Sequence, residues 1–174
     1  MLSSMERVKK ILYDDTFRAC MDEITVLEAD RRFCRHGMDH LENVARIAWI
    51  LALEEGKQLR KDVVYGAALL HDIGRSRPDS SGQPHRIFSA ELADEILIRA
   101  GYTEEEREDI RQAILSHGGS FVGSITHAYP DEHTAENLAD VIYRADKLSR
   151  DCFLCGVYEE CYWEEDRKNK TIIV

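Results

Sequence analysis

Residues 67–75 read AALLHDIGR, and this stretch decides the architecture. It closes a segment that opens near Lys61 and carries Val64, Ala67, Ala68 and Leu70 at helical spacing. The helix is expected to run to about Asp72, with Gly74 as its terminator. His71 follows Ala67 by four residues, which puts an imidazole on the apolar face. Asp72 stands beside it where the chain turns. A carboxylate on an apolar face is costly to bury unless it is paired or bound to a metal.

The same period recurs on both sides of this stretch. From His40 to Glu55, apolar residues fall at Leu41, Val44, Ile47, Ala48 and Leu51, and Gly56 follows as a stop. A helix from about Arg86 to Ala100 turns Phe88, Leu92, Ile96 and Leu97 inward, with Gly101 as its C-cap. Thr103-Glu104-Glu105-Glu106 has the capping-box pattern and opens a helix through Ile110, Ala113 and Ile114. Another begins near Thr134 and carries Leu138, Val141, Ile142 and Ala145. The first 30 residues add one or two more. The prolines, Pro78, Pro84 and Pro130, all lie between these segments. No period-2 strand stands out, and the terminal TIIV is too short to decide. The expectation is an all-α bundle of about five to seven helices.

Polar residues sit on the inward faces of several of these helices. His40 lies four residues before Val44, His117 three after Ile114, and Asp146 four after Ile142. Taken singly, such a His is a satisfied core residue and such an Asp is a cap. Five His and Asp side chains aimed into one core suggest a common counter-ion, and periodicity leaves both readings open. Mixed imidazole and carboxylate ligation suits Fe, Mn, Zn, Ni or Co better than Ca or Mg.

Composition bounds the function. The 174 residues carry a net charge of −10, with 44% hydrophobic and 32% charged residues, as a soluble globular chain does. One domain over 1–174 is expected, with a motif-bearing core at 36–150 and a Cys-containing appendage at 151–174. No apolar run approaches the roughly 18 residues of a membrane span. The charged start MLSSMERVKK lacks the apolar core of a signal peptide. A pI near 5.2 argues against a nucleic-acid polymer as partner. Five cysteines, at 20, 34, 152, 155 and 161, fit the reducing cytoplasm. The oligomeric state is left open.

AALLHDIGR resembles the signature of HD-domain metal-dependent phosphohydrolases. The likeness extends in order through His40 in HGMDHLENVARIA, His71-Asp72, and Asp146 in IYRADKLSR, and covers residues 36–150. PHRIFSAELADEIL (84–97) and AILSHGG (113–119) resemble the segments that supply extra His ligands in two-metal proteins of the HDIG type. The nearest resemblance is to the bacterial HD family that cleaves dinucleoside tetraphosphates symmetrically. It implies that His40, His71, Asp72 and Asp146 hold one divalent transition metal. His85 and His117 would hold a second, with Asp72 bridging. Iron or manganese would come first, and zinc, nickel or cobalt next. Ser116 stands before His117 and no GYP motif occurs, which argues against cyclic di-nucleotide cleavage.

The expected activity is hydrolysis of a phosphoester or phosphoanhydride bond in a small anionic nucleotide by a metal-activated water. A di-iron oxygenase on the same ligand set and a non-catalytic nucleotide sensor are the alternatives.

Charge supports an anionic substrate. Windows of five residues around the six candidate ligands contain seven basic residues: Arg35, Arg75, Arg77, Arg86, Arg144, Lys147 and Arg150. Besides the ligands they contain three acids, Asp39, Glu42 and Asp151, in a chain that is otherwise strongly acidic. Lys147 and Arg75 are expected to act with Asp72 in catalysis. His36, Arg35, Arg86 and Arg150 are expected to contact substrate. His127 and His133 fall in a long Gly-containing stretch and are expected at the surface. Cys34, Cys152, Cys155 and Cys161 form a second constellation. If His40 and Asp146 meet, Cys34 and Cys152 start close together, and four thiols suit zinc or an iron–sulfur cluster. The competing reading is small buried side chains beneath Trp163 and Tyr158.

Overall fold

The structure, a computed structural model, describes residues 4–77, 83–118 and 134–172. Among these residues there are seven α-helices and no strand. They are α1 (Ser4–Leu12), α2 (Asp15–Leu27), α3 (Met38–Glu54), α4 (Lys61–Leu70), α5 (His85–Ala100), α6 (Glu104–Ser116) and α7 (Thr134–Leu148). Three single-turn 3-10 segments follow α4 and α7, at Ile73–Ser76, Cys152–Leu154 and Tyr158–Glu160. His127 and His133 lie outside the described residues, as does most of the polar turn at 79–83.

Helix ends fall where the sequence chemistry puts them. Asp14 caps α2 by accepting from the N–H groups of Thr16 and Phe17. Thr103 and Glu106 form the reciprocal capping box that opens α6. Gly56 and Gly101 leave α3 and α5 with φ of 64° and 88°, the left-handed region that favours glycine.

Helix α4 is the axis of the fold. Eight of its ten residues are buried, from Asp62 through Leu70 with Tyr65 partly covered. It packs against α1, α3, α5, α6 and α7. Gly66 lets Tyr102 and Ile110 close on its backbone, where an added Cβ would stand 3.2–3.3 Å from each. The base of α4 is fixed by charge. Buried Asp62 pairs with Arg7 of α1, which also pairs at 2.6 Å with Glu106 of α6. Such a pair is costly to break from one side, because the other charge stays buried.

Two details differ from the sequence reading. Helix α4 closes at Leu70, two residues early, and a 3-10 turn carries the chain through Gly74. Gly74 is therefore no helix terminator. An added Cβ there would lie 2.2 Å from the His85 carbonyl oxygen and 2.4 Å from the Ser89 nitrogen. The missing side chain lets the first turn of α5 rest directly on the turn after α4. Ser89 Oγ completes that joint by accepting from the Gly74 N–H at 2.9 Å.

Candidate metal centre

Five helix ends deliver the candidate ligands to one place. His40 comes from the first turn of α3, and His71 with Asp72 from the end of α4. His85 opens α5, His117 closes α6, and Asp146 lies in the last turn of α7. All except His85 are buried. Asp72 sits at φ −112° and ψ 2°, the sparsely populated bridge region where active-site residues are often held.

The donor atoms form two groups that share Asp72. One atom from each of His40, His71, Asp72 and Asp146 falls within 4.8 Å of the others, and the same holds for Asp72, His85 and His117. Asp72 Oδ2 lies 3.2 Å from His71 Nε2 and 3.5 Å from His40 Nε2. Asp146 Oδ1 lies 3.4 Å from His40 Nε2 and 3.9 Å from His71 Nε2. The other oxygen, Asp72 Oδ1, lies 3.0 Å from His85 Nε2 and 3.5 Å from His117 Nε2. Ligands about 2.1 Å from one ion stand roughly 3.0–3.4 Å from each other, so these spacings suit metal binding.

The second nitrogen of each buried ring is anchored to protein. His71 Nδ1 donates to the Ala68 carbonyl at 2.7 Å, and His117 Nδ1 to the Ile114 carbonyl at 2.5 Å. His40 Nδ1 donates to Ser149 Oγ at 3.1 Å, and that hydroxyl donates to the Asp146 carbonyl at 2.8 Å. A ring held this way turns the Nε2 lone pair inward, the arrangement of metal-binding histidines. His71 Nε2 is fully buried and has no hydrogen-bond partner among the described residues. A buried nitrogen without a partner is costly, and a cation at that point satisfies it.

The electrostatics show the same demand. Burial disfavours a charged His71, yet the Asp72 and Asp146 carboxylates outweigh it and push its pKa up to about 10. Burial also disfavours the Asp72 carboxylate, but His71, His117 and His40 hold its pKa well below the usual range. The pocket is built for two negative carboxylates and calls for positive charge between them.

The sequence matches the HD domain family over residues 37–151. The chain belongs to that family. An uncharacterized protein of Clostridium beijerinckii is 40% identical over 97% of this chain and 99% of its own length. A Bacillus subtilis protein carrying the name "Putative phosphohydrolase YueE" is 29% identical, over 75% of this chain and 76% of its own. A bifunctional uridylyltransferase/uridylyl-removing enzyme of Cereibacter sphaeroides is 37% identical over 34% of this chain, a stretch that is 6% of that enzyme. No solved structure gives a significant match. HD domains bind divalent metals, and the buried His/Asp cluster of this one is able to hold a metal.

The basic residues divide. Arg75 Nε donates to Asp72 Oδ1 at 2.8 Å, and Lys147 Nζ lies 2.5 Å from Asp146 Oδ2. Arg150 Nη2 reaches Asp146 Oδ1 at 3.2 Å, and its other nitrogen holds the Arg35 carbonyl. The Arg86 guanidinium runs past Gly118, next to His117. Arg35 does not reach the centre with its side chain, which is exposed and donates to the carbonyls of Ala29 and Arg31. Arg144 pairs with Glu55 and Asp140, and Arg77 with Glu91, so these two belong to the outer surface. Closeness in sequence over-counted the positive charge here, because Arg144 leaves its helix on a different face from Asp146 and Arg35 and Arg77 lie outside the helices.

His36 is brought to the rim, with Nε2 3.9 Å from Asp72 Oδ2. Its ring Nδ1 donates to Glu28 Oε1 at 2.6 Å, and its backbone N–H donates to Glu28 Oε2 at 2.7 Å. Burial lowers the His36 pKa to about 4, so the ring is neutral at pH 7 and its Nε2 lone pair faces the centre. Glu28 was not found in the sequence. It follows the last residue of α2, eight residues before its partner, with no motif to mark it. Ser149 was also missed, although its place in ADKLSR, three residues after Asp146, carries a signal. That spacing lets the hydroxyl bond back to the Asp146 carbonyl while supporting His40.

Cys34, Cys152, Cys155 and Cys161 line one cavity, and all five cysteines of the chain are free thiols. No three of their sulfurs fall within 4.8 Å of one another among the described residues, so they do not frame a single-ion site.

Proposed function

We propose that this HD domain is a metal-dependent phosphohydrolase that cleaves a phosphoester or phosphoanhydride bond of a small nucleotide. Its ligands would be His40, His71, Asp72 and Asp146 for one ion, and His85, His117 and Asp72 for a second. The observation that carries the reading is the split of Asp72, whose two oxygens face two different imidazole groups. A pair of ions held by these two groups would suit in-line displacement at phosphorus, where both entering and leaving oxygens need stabilisation. The phosphohydrolase name of the Bacillus subtilis relative agrees with this chemistry.

Metal held by these residues would supply Lewis-acid charge for activating water and for neutralising the phosphoryl oxygens. The protein's own groups do the rest. Asp72 orients the nucleophile from its place between the two groups. Arg75 and Lys147 offer guanidinium and ammonium donors at the rim, suited to a phosphate's equatorial oxygens. His36, kept neutral and oriented by Glu28, presents an acceptor to the same space. Arg150 braces Asp146. Charge on these side chains favours an anionic substrate, and the small nucleotide follows from the resemblance to the tetraphosphate-cleaving family.

The test is a phosphate-release screen over mono- and dinucleotides with metal-stripped protein reloaded with manganese, iron, zinc, nickel or cobalt. Metal-dependent release by the wild type is expected. It should be lost in Asp72→Ala with helical circular dichroism intact. Full activity in Asp72→Ala, or no release from any nucleotide with any metal, would sink the reading. Oxygen consumption by the iron-loaded protein would favour oxygenase chemistry instead.

A further inference from the structure

We propose that Cys34, Cys152, Cys155 and Cys161 hold an iron–sulfur cluster of the four-iron type, beside the His/Asp centre and distinct from it. The four thiols come from two distant segments, yet all face one cavity of about 300 Å³. Cys20, the fifth, is buried in α2 with the helical core and takes no part.

Geometry selects the kind of group. A single tetrahedral zinc draws its sulfurs to about 3.8 Å from each other, given Zn–S bonds of ~2.3 Å. The four sulfurs do not converge to that degree, for no three come within 4.8 Å. All four residues line the one cavity instead. A four-iron cluster binds each thiolate to a different iron and so needs its ligands spread around a void. The backbone is shaped for the task. Cys155 and Cys161 each stand directly after a 3-10 turn, so both turns end on a ligand. Phe33, Tyr158 and Trp163 line the same cavity, an apolar wall of the kind that limits solvent access to such clusters.

The surroundings also argue against a reactive set of thiols. Burial raises the Cys34 pKa, against the pull of Arg150, and the thiols of Cys152, Cys161 and Cys155 push it further up. A thiol with a raised pKa is a poor nucleophile at neutral pH. Four neighbouring thiolates become favourable once iron neutralises them, and Arg150 and Lys168 at the cavity add positive charge.

Such a tie would add to the bonds by which Asn169 holds the segment to the carbonyls of Lys147, Leu148 and Arg150. Between Asp151 and Ile172 the described regular structure is two three-residue 3-10 turns. What joins this segment to the Cys34 loop includes the exposed Arg32–Glu160 pair at 2.8 Å and the edge-on contact of Phe33 with Tyr162. A cluster would pin the loop two residues before His36 to the segment two residues after Arg150. It would thereby set the rim of the HD centre.

The proposal does not rest on the hydrolase reading, and its test keeps the two apart. The full chain is prepared anaerobically with iron and sulfide, and acid-labile sulfide is counted. The His/Asp centre contributes iron at most, so sulfide reports the cluster alone. About four sulfides per chain are expected, with thiolate-to-iron absorption in the visible. Cys155→Ser and Cys161→Ser should lose them, while His71→Ala keeps them. The wild-type count stands even if a Cys variant fails to fold. No labile sulfide, or one zinc per chain bound by the cysteines, overturns the proposal, as does full sulfide retention in folded Cys155→Ser and Cys161→Ser.

Discussion

His85 Nε2 and His117 Nε2 stand 3.1 Å apart. The second nitrogen of His117 is committed to the Ile114 carbonyl, so in the neutral ring its Nε2 is a lone pair. Either His85 donates into that lone pair, or both nitrogens face a common cation near Asp72 Oδ1. The two cases differ in metal content. If the second ion is present, His85→Ala or His117→Ala should each lose about one ion per chain and most of the activity. Elemental analysis of the two variants against wild type decides it, and unchanged stoichiometry with weaker substrate binding would leave a single-ion centre.

Gly74 links the same pair to the fold. A Cβ at this position meets the His85 carbonyl and the Ser89 nitrogen, both backbone atoms of α5 that cannot swing aside. Gly74→Ala is therefore expected to cost about 2–3 kcal/mol by overpacking and to move His85 away from Asp72. Thermal unfolding and metal content should fall together. A variant with wild-type Tm and full metal loading would show that α5 has room to shift.

Much of this centre was legible in advance, for a physical reason. Helical periodicity puts His40, His117 and Asp146 on the inward faces marked by Val44, Ile114 and Ile142, and the resemblance to HD domains then groups them with His71, Asp72 and His85. The helix stops at Gly56 and Gly101 were readable because a positive φ leaves glycine as its signature. Gly74 was misread, because its constraint comes from α5 across a contact that no local pattern encodes. Glu28 and the directions of Arg35, Arg77 and Arg144 were hidden for the same reason. Which way a long charged side chain leans depends on partners distant in sequence.

The base of α4 gives a stability test away from the centre. Arg7 is 8% exposed and Asp62 is fully buried, with Asp62 Oδ1 already lacking a hydrogen-bond partner among the described residues. Removing the guanidinium strands the carboxylate, and the exposed Arg60 at 3.2 Å is left as its ion-pair partner. Arg7→Met should cost about 3 kcal/mol, and Arg7→Met with Asp62→Leu together less than the sum. Urea unfolding of the two single variants and the double measures the coupling. Additive losses would mean that the pair does not act as a unit.

Asp109 predicts a pH dependence of its own. It lies on α6, and burial together with Glu105, Glu108 and Glu106 raises its pKa to about 6, with no cation among the groups that act on it. The folded state thus holds the proton more tightly than the unfolded chain, whose value is 3.8. The stability from this difference is fully present below the unfolded value and is lost as pH rises through the folded one. Near pH 8 the ionised carboxylate is a net cost of about 1 kcal/mol, after discounting for its partial contact with solvent. Asp109→Asn removes that charge at nearly constant shape. Its Tm should exceed that of wild type by roughly 2–4 °C at pH 8, and the gain should shrink towards zero near pH 4. A gain equal at both pH values would trace the effect to packing, and no gain at pH 8 would show that water screens Asp109 from its acidic neighbours.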